Sequence, residues 1–320
     1  MKKTTLFLLI STALLVSCKQ SEENKNVGTT TTPTQVSETV VNGSTSVHQL
    51  NNQQIAVAQK EFLKVLSVKD DALTQIFQLG QSLNQNQLDE KSMKKMQDQV
   101  YRLSLETQKE LNKLKITDQE IKNYIQAQNY LVELSEKLYK AQDKIEKEQK
   151  SGKLSEESGA LLKQMQEAQG KVFQQELSLT DKLAQSGEQS AMRELLQIKS
   201  IQIKEAMQLA SSMQILMNDS SSDEEKAKKM ADVNRKIADD TVSELNKLSI
   251  QTEDIDDYRK KLLDLSKLKI KSIDRADKMQ KEIAKDKKLS PESEQLMEQL
   301  QRDTVNVEKL RIQLTSKYAQ

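Results

Sequence analysis

Cys18 and His48 are each the only residue of their type in this 320-residue chain, and most side-chain chemistry at neutral pH needs one of the two with a partner close by. A Ser-His-Asp triad or a Cys-His pair needs an imidazole base. A carboxylate di-metal centre in a helical bundle needs inward-facing Glu-x-x-His motifs, and a histidine-ligated haem needs an axial imidazole. His48 has no cluster of Cys, Asp or Glu around it, and one ligand does not make a metal site. One cysteine makes neither an internal disulfide nor a thiolate cage. No Gly-x-Gly-x-x-Gly run occurs, and the 7 glycines are few from which to build a phosphate-cradling loop. The expectation is therefore no catalytic residue, no metal, no cofactor and no enzyme.

What Cys18 can do follows from its setting. Lys2 and Lys3 make a basic start, followed by Leu6-Phe7-Leu8-Leu9-Ile10 and Ala13-Leu14-Leu15-Val16, an apolar stretch of signal-peptide length. It is too short to span a bilayer permanently. The stretch ends in Leu15-Val16-Ser17-Cys18, which resembles the lipobox of bacterial lipoproteins. The resemblance covers the leader alone, residues 1–17 and the cysteine. It implies cleavage between Ser17 and Cys18, a diacylglycerol on the Cys18 thiol and acylation of the freed amine, with palmitate among the chains. Each buried methylene is worth about 0.8 kcal/mol, so two or three chains hold far more firmly than one. The resemblance also implies a place in the bacterial cell envelope. Because Lys19 and not an aspartate follows the cysteine, that place is the outer membrane in a Gram-negative cell. Which side of the membrane the body faces stays open.

Behind the cysteine the composition changes twice. Residues 18–53 are rich in Ser, Thr, Asn, Gln and Val, with the run Thr29-Thr30-Thr31-Thr32-Pro33-Thr34 and no sustained apolar period, and His48 lies among them. This reads as a disordered tether, and about 35 flexible residues reach roughly 30 to 35 Å. Beyond it Leu, Lys, Gln, Glu and Met dominate, while aromatics are 3% and Trp is absent. Turn and strand formers are thus scarce, and the class is all-α. The 49 Lys+Arg and 48 Asp+Glu nearly cancel, and loss of Lys2 and Lys3 takes the formal charge from +1 to −1. No basic stripe with stacking aromatics is present, so nucleic acid is not an expected partner.

The body repeats itself. Leu111-Asn112-Lys113-Leu114 returns as Leu245-Asn246-Lys247-Leu248, an offset of 134. At that offset Ile116, Ile121, Tyr124, Leu131 and Leu134 fall on Ile250, Ile255, Tyr258, Leu265 and Leu268, and Asp89-Glu90 falls on Asp223-Glu224. With one residue inserted, Lys153-Leu154-Ser155 matches Lys288-Leu289-Ser290. The expected units are a first repeat over 54–186 and a second over 187–320.

Each repeat reads as four helices, in the first from Gln54 to Asn84, Glu90 to Leu114, Asp118 to Lys150 and Glu156 to Ala184. The third steps by three and four through Ile121, Tyr124, Gln128, Leu131, Leu134, Leu138, Ala141 and Ile145, one narrow apolar stripe. Its counterpart runs from Ile255 through Tyr258, Leu262, Leu265, Leu268, Ala276 and Met279 to Ile283. The fourth pair steps through Leu161, Met165, Ala168, Val172 and Leu179, and through Leu296, Leu300, Val307, Leu310 and Leu314. Thr117-Asp118-Gln119-Glu120 predicts a capping box, Ser290 before Pro291 an N-cap, and Asp89 and Asp223 the caps of second helices. Met96, Met165, Met207, Met213, Met230 and Met279 fall at core spacing, and Tyr124 and Tyr258 read as core positions. The runs Lys144–Lys150 and Lys278–Lys288 read as solvated faces.

Helices of about 30 residues are roughly 45 Å long, and short connections favour antiparallel neighbours. The expected architecture is a tandem duplication of elongated four-helix bundles. The alternative is an extended spectrin-like or coiled-coil array with a helix running through the junction near Gly187. The functional expectation is a lipid-anchored envelope protein acting through protein contacts, as scaffold, adaptor or surface factor. Its alternative is an envelope protein that holds a lipid or apolar small molecule in a bundle pocket. Replacing Cys18 by alanine should move most of the protein from the membrane fraction to the soluble fraction without changing its far-UV circular dichroism; a variant that stays firmly in the membrane pellet contradicts the anchor.

Overall fold

In the computed structural model, residues 51–82, 90–217, 221–286 and 288–320 are described. The leader, Ser17, Cys18, His48 and Asp89 lie outside them. Among the described residues nine helices follow one another: α1 (Asn52–Ser82), α2 (Glu90–Lys113), α3 (Gln119–Lys150), α4 (Glu156–Gln185), α5 (Ala191–Met217), α6 (Asp223–Lys247), α7 (Glu253–Asp274), α8 (Ala276–Asp286) and α9 (Pro291–Ala319). No other regular element occurs among the described residues.

Local chemistry sets the helix ends. Asp118 is the N-cap of α3, its carboxylate accepting from the N–H groups of Glu120 and Ile121 at 2.8 and 3.0 Å. Asp118 thus takes the capping role expected of Thr117, which faces α1 instead. Ser222, one residue before Asp223, caps α6 in a full capping box with Glu225. Ser290 caps α9 ahead of Pro291, as the sequence suggests, and Ser155 caps α4 in the same way. Both serines are held by a glutamate of the preceding helix. The backbone N–H and hydroxyl of Ser155 donate to Glu148, and those of Ser290 donate to Glu282. One capping device therefore appears twice, 134 to 135 residues apart.

The third helix of the second repeat departs from expectation. It is interrupted at Arg275, which separates α7 from α8. The Arg275 guanidinium reaches across to Ser293 and Glu292 in the first turn of α9. Past the break the stripe holds at Met279 but not at Ile283, which is 49% exposed.

Gly187 closes the question of the junction. Its φ of +77° lies in the left-handed region, where a residue with a Cβ is strained, so α4 stops and α5 starts anew at Ala191. Gly152 (φ +75°) ends α3 in a Schellman turn, with Lys153 N–H donating to Glu148 O at 3.2 Å and Gly152 N–H to Gln149 O at 3.1 Å.

Packing then joins the repeats. Helices joined by a turn run antiparallel, with α8 continuing α7 beyond Arg275, but the first and fourth helices of each repeat barely touch each other. Instead α4 lies along α5, and α9 lies along α1. The four helices α1, α4, α5 and α9 make a central bundle. The α2–α3 hairpin flanks it on one side, and α6 with α7 flanks it on the other. One continuous apolar core runs from Ala58 to Ala319 and takes in Phe62, Tyr124, Leu134, Leu196, Tyr258 and Leu314 from both repeats. Large apolar side chains buried in this way contribute roughly 1.5 to 3 kcal/mol each. A small satellite of Ile76, Val100 and Leu103, with Met96 against it, lies between α1 and α2.

A Cβ at Gly187 would stand 2.9 Å from Ile55 Cγ2, whereas one at Gly170, inside α4, would meet nothing within 4 Å. Gly187→Ala should therefore destabilise the body by about 1–2 kcal/mol or more, and Gly170→Ala should stabilise it by up to about 1 kcal/mol. Urea unfolding of the two variants checks both signs.

Candidate functional site

The candidate site grows from the central bundle. Glu176 on α4 sits in the apolar face marked by Val172 and Leu179 and is 5% exposed. A carboxylate so placed is costly unless charged partners surround it. Lys69 of α1 meets it at 2.5 Å, the Tyr124 hydroxyl of α3 donates to it at 2.6 Å, and Lys199 of α5 stands 3.5 Å away. Tyr124 is fully buried. Its oxygen also accepts from Lys69 at 2.5 Å and from Gln128 at 2.8 Å, while the Phe62 ring packs edge-on against it.

A second ion pair lies in the same bundle. Arg311 of α9 donates to Asp70 of α1 at 2.5 Å and to Glu308 at 2.9 Å, with only 8% and 4% of the Arg311 and Asp70 side chains exposed. On the far side, Tyr258 of α7 is equally buried and donates to Gln202 of α5 at 3.1 Å. Each repeat thus sets a third-helix tyrosine against a polar residue of its first helix, Lys69 in one and Gln202 in the other.

The electrostatics follow from this crowding. Burial pulls the Glu176 pKa up, but Lys69 and Lys199 outweigh it and hold the carboxyl at about 2. Burial, then the Glu176 charge, raises Tyr124 well above the usual phenol value, so it remains a proton donor. Burial pushes the Lys199 ammonium down against the pull of Glu176. For Arg311 burial acts downward, but Asp70 and Glu308 more than offset it, and the guanidinium stays charged.

Beside this network is a cavity of about 270 Å³, bounded by α1, α2, α3, α4, α5 and α9. Asp70, Glu176, Glu308, Lys69, Lys199 and Arg311 give it three charges of each sign, and Leu73, Val132, Phe173 and Ile203 give it an apolar wall. Three lining residues carry a buried polar atom without a hydrogen-bond partner: Asp70 Oδ2, Asn129 Oδ1 and Gln169 Nε2.

One end of the body is stitched by two further carboxylates. Glu61 of α1 accepts from Thr117 N–H (2.8 Å), Thr117 hydroxyl (2.7 Å) and Asp118 N–H (3.0 Å), clamping the α2–α3 turn. Glu194 of α5 accepts from the N–H groups of Gln251 (2.8 Å) and Thr252 (3.0 Å), clamping the α6–α7 turn. Burial raises the pKa of each, but these hydrogen bonds prevail and leave both below the ordinary carboxylate value.

The positions read from sequence fall out as follows. Tyr124 and Tyr258 are core residues with satisfied hydroxyls. Met165 and Met279 are buried, and Met96, Met207, Met213 and Met230 are half-buried. The lysines of 144–150 and 278–285 are exposed. Cys18, Ser17 and His48 lie outside the described residues, so the structure brings nothing to them. Among the described residues no group of three His, Cys, Asp or Glu is placed to hold a metal ion, and no helix is long and apolar enough to cross a membrane. Glu61, Glu194, Glu176, Asp70 and Arg311 carry no sequence motif. The available signal is a charge interrupting an apolar face, as Glu194 does before Leu195 and Leu196. No protein-family model, curated protein or solved structure matches the chain.

Glu176 lends itself to a titration. Its folded pKa lies below the ordinary 4.5, at about 2. The stability it contributes is therefore complete above pH 4.5 and is lost as pH falls from there toward 2. At roughly 1.4 kcal/mol per pH unit, the full contribution is about 3 kcal/mol. Glu176→Gln, which takes from the half-buried Lys69 and Lys199 their nearest carboxylate, should cost about 3–5 kcal/mol at pH 7. Its stability should then fall about 2 kcal/mol less than wild type between pH 5 and 3, as read by urea unfolding at each pH. Parallel curves for the two proteins contradict the assignment.

Proposed function

We propose that the chain is a lipid-anchored protein of the bacterial cell envelope, joined to the membrane through acyl chains on Cys18, whose helical body acts by contact with a protein partner and not by catalysis. In a Gram-negative cell the membrane is the outer one. The observation that carries this reading is where the chain enters the body. Asn52 donates to Glu188 at 3.0 Å beside the α4–α5 turn, at the end where Glu61 and Glu194 fix the other turns. The C-terminus returns to that end too, Lys317 and Tyr318 of α9 both bonding Asp254 in the first turn of α7. The segment leading back to Cys18 thus attaches to the end that these hydrogen bonds secure, and the opposite end is the one turned away from the anchor. Of the six large apolar side chains exposed among the described residues, four lie toward that opposite end, Leu154 (38%), Ile215 (71%), Ile283 (49%) and Met297 (40%), against Val57 (46%) at the tether end and Tyr130 (47%) along α3. Exposed apolar groups gathered at one end of a body favour a contact surface.

The buried charges support a binding role as well. Glu176, Lys69, Lys199, Asp70 and Arg311 pair with one another across α1, α4, α5 and α9, an arrangement that fixes the body on which a contact surface is carried. A second reading, that the body holds a small molecule, is favoured by the cavity beside Glu176.

A photocrosslinking residue placed at Leu154 or Ile215 in live cells should give protein adducts at least several-fold stronger than one at Lys163 on a flank. Equal or absent adducts at all three positions count against a partner at the end turned away from the anchor. Protease digestion of intact cells decides which way the body faces.

A further inference from the structure

We infer that the cavity beside Glu176 is a binding site for a zwitterionic small molecule with an apolar side chain, in the first instance an apolar α-amino acid. This rests on the second reading above and gives it a ligand class.

Four observations lead there. The lining charges balance, three cationic against three anionic, so a ligand with net charge would enter uncompensated, whereas one carrying both signs would not. The unpartnered atoms come in both kinds. Asp70 Oδ2 and Asn129 Oδ1 accept, Gln169 Nε2 donates, and Lys199 is held only at 3.5 Å by Glu176. An ammonium group suits the first two and a carboxylate suits the others. The apolar wall contributed by Phe173 and Ile203 suits an aliphatic or aromatic side chain. Finally, about 270 Å³ corresponds to roughly nine waters of liquid volume, the scale of one amino acid and not of a diacyl lipid.

The duplication strengthens the case. The equivalent turn clamps Glu61 and Glu194 set the first helices of the two repeats at an offset of 133, so Asp70 and Lys199 have Ile203 and Leu66 as counterparts, and at the offset of 134 Gln128 has Leu262. The same positions in the other repeat are thus filled by aliphatic residues, so the polar set belongs to this cavity and to the helix pairing at its edge, and is not a feature of every repeat.

Isothermal titration of the detergent-solubilised mature protein tests this directly. L-leucine or L-phenylalanine should bind, and isoamylamine and isocaproate, each lacking one charge, should bind at least tenfold more weakly. Asp70→Asn should weaken amino-acid binding at least tenfold. Ala206→Met, which fills the cavity from α5, should abolish binding while leaving the circular dichroism and unfolding midpoint near wild type, so that loss of site and loss of fold are told apart. Equal binding of the single-charge analogues, or amino-acid binding untouched by Ala206→Met, overturns the proposal. Should neither amino acid bind at millimolar concentration while native mass spectrometry finds another small molecule on protein from cells, the zwitterion is overturned and the small-molecule reading stands. An empty protein in both measurements overturns the two together.

Discussion

The Glu176 carboxylate is almost without water, and the middle of the molecule is organised around keeping it charged. Lys69 comes from the first helix of one repeat, Lys199 from the first helix of the other, and Tyr124 from the third helix. Because a lone buried carboxylate costs several kcal/mol, α4 is held where α1, α3 and α5 supply these partners together. The Asp70–Arg311 pair does the same for α1 and α9. Burial of the apolar stripes drives the helices together without direction. The buried ion pairs select the arrangement in which each repeat's fourth helix lies on the other's first.

That selection explains why two similar halves make one body. At the position of Glu176 the second repeat carries Arg311, and at the position of Lys69 it carries Gln202, so the halves are complementary and no longer interchangeable. The capping pairs Glu148–Ser155 and Glu282–Ser290, and the turn clamps Glu61 and Glu194, stay alike. They act locally, on a turn each repeat must make. Divergence has gathered where the repeats meet.

The same division decides what the sequence discloses. The stripe from Ile121 to Ile145 is legible because three-and-four stepping records a helix buried on one face, and every position but Ala141 is buried. Ser290 and Pro291 are legible because capping acts within one turn. Arg275 is not legible as a break: apolar spacing continues across it to Met279, and its contacts with Glu292 and Ser293 join helices through space. The exchange of fourth helices is invisible for a similar reason, since α4 shows the same stripe whichever first helix it meets. Glu176 looks like any surface glutamate until α1 and α5 are in place. Of the candidate site only Tyr124 and Tyr258 stand out in advance, through the repeat, and their spacing suggests core without revealing the charges they serve.

The central claim is that the two repeats form one cooperative unit locked at Glu176 and Asp70. Hydrogen exchange along a urea gradient, read by mass spectrometry in α3 of the first repeat and α7 of the second, tests it most directly. The account predicts that protection in both helices is lost in a single coincident transition. Separate transitions, with one repeat keeping its protection after the other has lost it, would contradict it.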